Sequence, residues 1–122
     1  MYRENDMLAA QAAQVAHALA HPVRLQILEA LADGAAYVMD LTTALGRRQA
    51  NISQHLAVLR EAGLVQAERE GMTVRYTLRS PQVVQVLEAL AGLGRDVPFT
   101  AVGRRRRHRR GGRGGGPRRF SP

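Results

Sequence analysis

The sequence predicts a mainly α domain of about five helices with one small β-hairpin, followed by a disordered Arg/Gly-rich C-terminal tail. Three observations predict it. Residues 40–64, DLTTALGRRQANISQHLAVLREAGL, read as two short helices hinged at Gly46, the second polar at its start and apolar at its end. Directly after them, VQAERE and TVRYTL alternate apolar and polar residues around Gly71-Met72, which is the pattern of a hairpin. Finally, residues 1–99 carry nine Arg against ten acids, whereas residues 100–122 carry nine Arg and no acid, so the basic charge belongs to the tail. A helix pair followed by such a hairpin is a winged helix-turn-helix, whose second helix suits a DNA major groove.

Composition narrows the alternatives. The absence of Cys removes disulfides, thiolate metal sites and thiol redox chemistry. No apolar run approaches the roughly 18–20 residues of a membrane span, and no basic segment leads into an apolar core at the N-terminus. A soluble, cytoplasmic chain without membrane association is therefore expected. With no Cys nucleophile, no clustered carboxylates and no phosphate loop, an enzyme is not expected, and neither a metal nor a cofactor is implied. All basic residues other than His are Arg, whose guanidinium forks onto phosphate or stacks on bases.

The first helix, Met7 to Ala20, is Ala-rich, with Leu8, Ala12, Val15, Ala16 and Leu19 at helical spacing and Asn5 or Asp6 as its cap. Its small residues suit close approach of another helix, so it reads as a dimerisation helix; a small domain gains by sharing a core. Pro22 opens the second helix, where a missing N–H costs nothing. Val23, Ile27, Leu28 and Leu31 form its apolar stripe, Gly34 stops it, and Arg24 is expected on its wet side. Residues 35–39 connect, with room for a very short strand.

The third helix spans Asp40 to Leu45, with Leu41 and Leu45 inward, and the fourth runs from about Arg48 to Ala62. At 100° per residue, Ile52, Leu56 and Leu59 share the core face with Gly63. Opposite them lie Gln49, Ala50, Asn51, Ser53 and Gln54, the candidate base contacts. Amides can bond adenine bidentately, and Ala or Ser lets the helix come close. Candidate phosphate contacts are Arg47, Arg48 and His55, joined by Arg69 and Arg75 of the wing. His55 also lies beside the core face, so a packing role is equally open. Ser80 and Pro81 cap a fifth helix whose Val83, Leu87 and Leu90 join Leu8, Ala12, Val15 and Leu19 as the candidate dimer interface.

Order signals fade after Gly94, which divides a domain of residues 1–94 from a tail of residues 95–122. In that tail Arg104, Arg105, Arg106, Arg107, Arg109 and Arg110 are candidate non-specific phosphate contacts. Arg-Gly segments also bind RNA, which leaves an RNA-associated module as the rival reading. His17 and His21 stand at metal spacing, but His21 ends its helix and no carboxylate lies at a useful position. Capping and packing suit them better.

Four blocks, ALAHPVRLQILEAL, VMDLTTALG, QANISQHLAVLREAGLV and VRYTL, closely resemble the ArsR/SmtB-type winged-helix transcriptional repressors over residues 8–92. The resemblance implies a homodimer on a near-palindromic double-stranded operator, with the terminal helices at the dimer interface and release on binding an inducer. It assigns Gln49, Ser53, His55 and Leu56 to the family's Q-x-x-x-S-x-H-L core. Two departures stand out. Arg47 and Arg48 replace an apolar residue and a Ser cap. Tyr37 and Met39 occupy the positions of the thiolates in metal-responsive members, and the last helix offers only Glu88 toward their other metal site. The signal is therefore expected to be something other than a thiolate-bound metal.

Overall fold

A computed structural model describes residues 4–96 of the chain. Five helices and three short strands follow in the order α1 (Glu4–Leu19), α2 (Pro22–Ala32), β1 (Ala36–Tyr37), α3 (Val38–Leu45), α4 (Gln49–Glu61), β2 (Val65–Glu70), β3 (Thr73–Leu78) and α5 (Gln82–Asp96). Residues 1–88 form one unit holding the core, and α5 continues into a second unit that begins at Ala89. The expected α-rich architecture with a wing is present.

The elements begin and end where side chains supply missing hydrogen bonds. Asn5 and Asp6 lie within α1, which already includes Glu4, so neither is the cap expected from the sequence. His21 is the N-cap of α2: its Nδ1 accepts from the Val23 N–H at 3.2 Å, and Pro22 follows in the first turn. The Asp40 carboxylate reaches back to the Tyr37 N–H at 2.9 Å at the start of α3. Ser80 Oγ accepts from the Gln82 N–H at 3.1 Å and opens α5. That helix passes Gly94 and includes Arg95 and Asp96, two residues beyond the boundary expected from composition.

The core collects the predicted stripes. Val23, Ile27, Leu28 and Leu31 of α2 meet Leu41 of α3 and Ile52, Leu56 and Leu59 of α4, all buried. Each buried aliphatic side chain contributes about 1.5–3 kcal/mol relative to exposure. Leu64 and Val65 close this core on the side of the wing. The sheet has one strand more than a hairpin, because β1 pairs antiparallel with β3 in the order β1-β3-β2. Ala36 faces Tyr76 and Tyr37 faces Arg75 across that pair. A two-residue β1 thus ties the entry to α3 to the base of the wing.

Between α3 and α4, Gly46 adopts φ 64° and ψ 36°, and its N–H donates to the Thr42 carbonyl at 2.9 Å. This left-handed turn redirects the chain from one helix into the next. A Cβ at Gly46 would meet no atom within 4 Å, so the cost of adding one is conformational. Gly46→Ala is expected to lower stability by about 1–2 kcal/mol, read as a shift in urea midpoint at unchanged m-value.

Leu19 and Val83, expected at a dimer interface, are buried in the subunit's own core, and Leu87 packs against that core. Leu19 ends α1 and Val83 lies in the first turn of α5, so both turn their apolar area onto the subunit's own core. Leu8, Ala12 and Leu90 are exposed, and Val15, like Leu87, is half-buried against that core.

Candidate nucleic-acid interface

The start of α4 presents an uncharged strip. Gln49, Ala50, Ser53, Gln54 and Ala57 are exposed, while Ile52, Leu56 and Leu59 on the opposite face are completely buried. Burying one face of an amphipathic helix leaves the other as the outward surface. Two primary amides, a hydroxyl and two methyl groups therefore stand where side chains can meet base edges. Asn51 departs from the predicted set. It is half-buried, and its Oδ1 is enclosed without a hydrogen-bond partner. With that oxygen enclosed, Asn51 falls outside the exposed strip on which the other expected base contacts lie.

Arg48 is the N-cap of α4 in extended conformation and provides no side-chain cap. Arg47 and Arg48 are both exposed at the helix N-terminus. Their positive charges and the uncapped N–H groups there favour an anion such as a phosphate.

The wing divides its two candidate cations. Arg69 is exposed. Arg75 instead donates from Nη2 to Glu68 at 2.6 Å and from Nε to Glu70 at 2.9 Å. The register explains this: Glu68 lies directly opposite Arg75 across the β2–β3 pair, and Glu70 is one repeat farther along the same face. From β1, on the far side of β3, Tyr37 Oη donates to Glu70 at 2.6 Å. That bond, followed by the charge of Glu70, raises the Tyr37 phenol above its ordinary range, and the same bond lowers the Glu70 carboxyl. Arg75 is thus neutralised within the wing, contrary to its expected phosphate role. At the wing tip, Gly71 takes φ 63° and Met72 is 95 % exposed.

Of the two roles left open for His55, backbone contact or packing, the structure places it in the packing position. It is 9 % exposed and faces α2 rather than the outward side of α4. Its Nδ1 accepts from Arg24 Nε at 3.1 Å, and its ring lies 4.4 Å from that of His21 at a tilt of 51°. Arg24, expected in solvent, is half-buried. Its Nη1 also donates to the carbonyls of His17 and Ala18 at 3.5 and 3.3 Å, at the C-terminal end of α1. Sequence periodicity missed this arrangement. The only available signal was an Arg two positions after a helix-opening Pro, and nothing in that spacing points to a residue 31 positions later.

Among the described residues no group of three or more His, Cys, Asp or Glu could hold a metal ion, and no helix is long and apolar enough to cross a membrane. Tyr37 is engaged with the wing, Met39 is exposed, and His21 Nδ1 is committed to its helix cap. The tail arginines Arg104, Arg105, Arg106, Arg107, Arg109 and Arg110 lie outside the described residues.

A buried helix pair, an outward α4 and a three-stranded wing define a winged helix-turn-helix protein. The model of the arsR family of bacterial regulatory proteins matches residues 21–67. The chain is 41% identical over 85 residues to the regulator CmtR of Mycobacterium bovis, covering 70% of this chain and 72% of the relative. It is 41% identical over 88 residues to the transcriptional activator HlyU of Vibrio cholerae, covering 72% of this chain and 82% of the relative. A homodimeric winged helix-turn-helix DNA-binding domain from Mycobacterium bovis, Mb0332, superposes with a TM-score of 0.71 at 32% identity, covering 79% of this chain and 89% of that one. The chain belongs to the ArsR family of DNA-binding transcriptional regulators.

Proposed function

We propose that the chain acts as a homodimeric repressor that reads a near-palindromic operator with α4. The observation that carries this reading is the division of α4 into a fully buried aliphatic face and an exposed face of amides and small side chains. Gln49, Ala50, Ser53 and Gln54 contact base edges, while Arg47, Arg48 and Arg69 contact phosphates. Leu8, Ala12 and Val15 of α1 and Leu87 and Leu90 of α5 supply the dimer contact, in keeping with the homodimeric form of Mb0332. The tail arginines add phosphate contacts that carry no sequence information.

The cytoplasm is the place of action, and no enzymatic step is assigned. Repression follows from the resemblance of the four sequence blocks to ArsR-type repressors, and its release answers a signal other than a thiolate-bound metal. RNA association rests on the tail composition alone, and no other observation favours it.

The test is selection of fragments of the source genome on purified protein, followed by sequencing, with sedimentation to establish the oligomer. A dimer enriching a site with half-sites centred about 10 base pairs or a multiple apart is expected. A monomer, or a protein that enriches no duplex, overturns the reading. Induction of the neighbouring promoter on deleting the gene tests repression against activation.

A further inference from the structure

We propose that Arg24 is a positioning residue for DNA reading: through His55 it holds α4 against the C-terminal end of α1, and this strut persists only while the His55 ring is neutral. The inference rests on α4 being the reading helix. One guanidinium joins three helices here. It sits on α2, donates from Nε to His55 Nδ1 on α4, and donates from Nη1 to the last carbonyls of α1 at His17 and Ala18. Those carbonyls lie at the electronegative end of a 16-residue helix, where a cation is favoured; the His17 carbonyl also accepts from the Ala20 N–H at 3.2 Å. In a dimer that pairs through α1, the same contact sets where each α4 stands relative to the partner's.

The direction of the Arg24–His55 bond determines the protonation state. A ring nitrogen that accepts from a guanidinium carries no proton, so the proton of neutral His55 is on Nε2. A second proton would go to Nδ1, placing two donors and two positive charges 3.1 Å apart. The surroundings make that addition costly. Burial, then His21 at the start of α2, Arg24, and Arg47 in the turn before α4 all hold His55 below the ordinary imidazole range. Every charged or titratable group acting on it from a packed element is thus a base or a cation, and neither ion pair among the described residues involves it. A His with a lowered native value adds stability above about pH 6.5 and loses it as the pH falls through that lowered value. Acid therefore releases α4 from α1.

The full-length protein, His55→Asn and Arg24→Gln should be compared by fluorescence anisotropy on the selected operator and on a scrambled duplex, between pH 7.5 and 5.0. Asn keeps an oxygen acceptor near the Nδ1 position and does not titrate in this range. Wild-type affinity for the operator is expected to fall about tenfold across the range, with His55→Asn flat by comparison and close to wild type at pH 7.5. Arg24→Gln should already be weakened at pH 7.5 on the operator and unchanged on the scrambled duplex. NMR titration without DNA should find His55 titrating below the ordinary imidazole range in the wild type and moving upward in Arg24→Gln. Equal pH profiles for wild type and His55→Asn, or a His55 that titrates in the ordinary imidazole range, overturn the strut while leaving the DNA reading intact. A wild type that already fails to distinguish the two duplexes at pH 7.5 overturns the DNA reading and the strut with it.

Discussion

Alanine at both Gln49 and Gln54 is expected to abolish the preference for the operator while leaving the fold and non-specific DNA binding in place. Both side chains are exposed on α4, away from the buried aliphatic face, so their removal leaves the core untouched. A well-placed bidentate amide contributes about 1–3 kcal/mol of discrimination against the wrong base. With two amides in each of two subunits, the combined loss spans several orders of magnitude in the specificity ratio. The measurement is competition between operator and scrambled duplex at fixed salt. The operator affinity should fall to that of the scrambled duplex, with an unaltered melting temperature. Retained discrimination would place the readout elsewhere, at the wing tip or in the shape of the DNA.

Removal of residues 100–122 should have a different signature. Nine guanidiniums per chain leave with this segment, and residues 1–99, with nine Arg against ten acids, retain no excess of positive charge. The wing supplies less attraction than its composition implies, since Glu68 and Glu70 neutralise Arg75. Each phosphate left without its arginine flattens the dependence of log K on log salt by about 0.9. The truncated dimer should lose several units of slope and, near 50 mM salt, about a thousandfold or more in affinity. Its preferred sequence should stay the same, because phosphate contacts position without specifying. An unchanged slope would show that the tail does not touch the duplex. A changed sequence preference would show that it does more than neutralise charge.

These two experiments separate reading from attraction. The first removes neutral groups from a helix and should leave the salt dependence alone. The second removes charge from beyond the domain and should leave the sequence preference alone. Each therefore serves as the control for the other.

Much of the fold was legible because its signals are periodic and local. Ile52, Leu56 and Leu59 recur at helical spacing, and that spacing alone implies one buried face and an exposed Gln49, Ser53 and Gln54. Gly46 and Gly71 mark turns whose positive φ suits glycine. The errors fall where a side chain's role depends on a distant neighbour. Arg75 on a wing reads as a phosphate contact until the strand register sets Glu68 opposite and Glu70 alongside. His55 stands near the edge of the helical face, and its angular position could not decide between solvent and packing until α2 placed Arg24 and His21 against it.

The sequence by itself determined the helix-turn-helix, the wing and the separation of a neutral domain from a basic tail, because apolar period, glycine turns and net charge are properties of neighbouring residues. Tertiary structure alone decided which polar groups remain available to DNA. The Asn51 oxygen is enclosed, Arg75 is held by two carboxylates, and Arg24 joins α1 to α4. Hydrogen bonds and ion pairs form between whatever the folded chain brings within about 3 Å, and sequence separation carries no record of that distance.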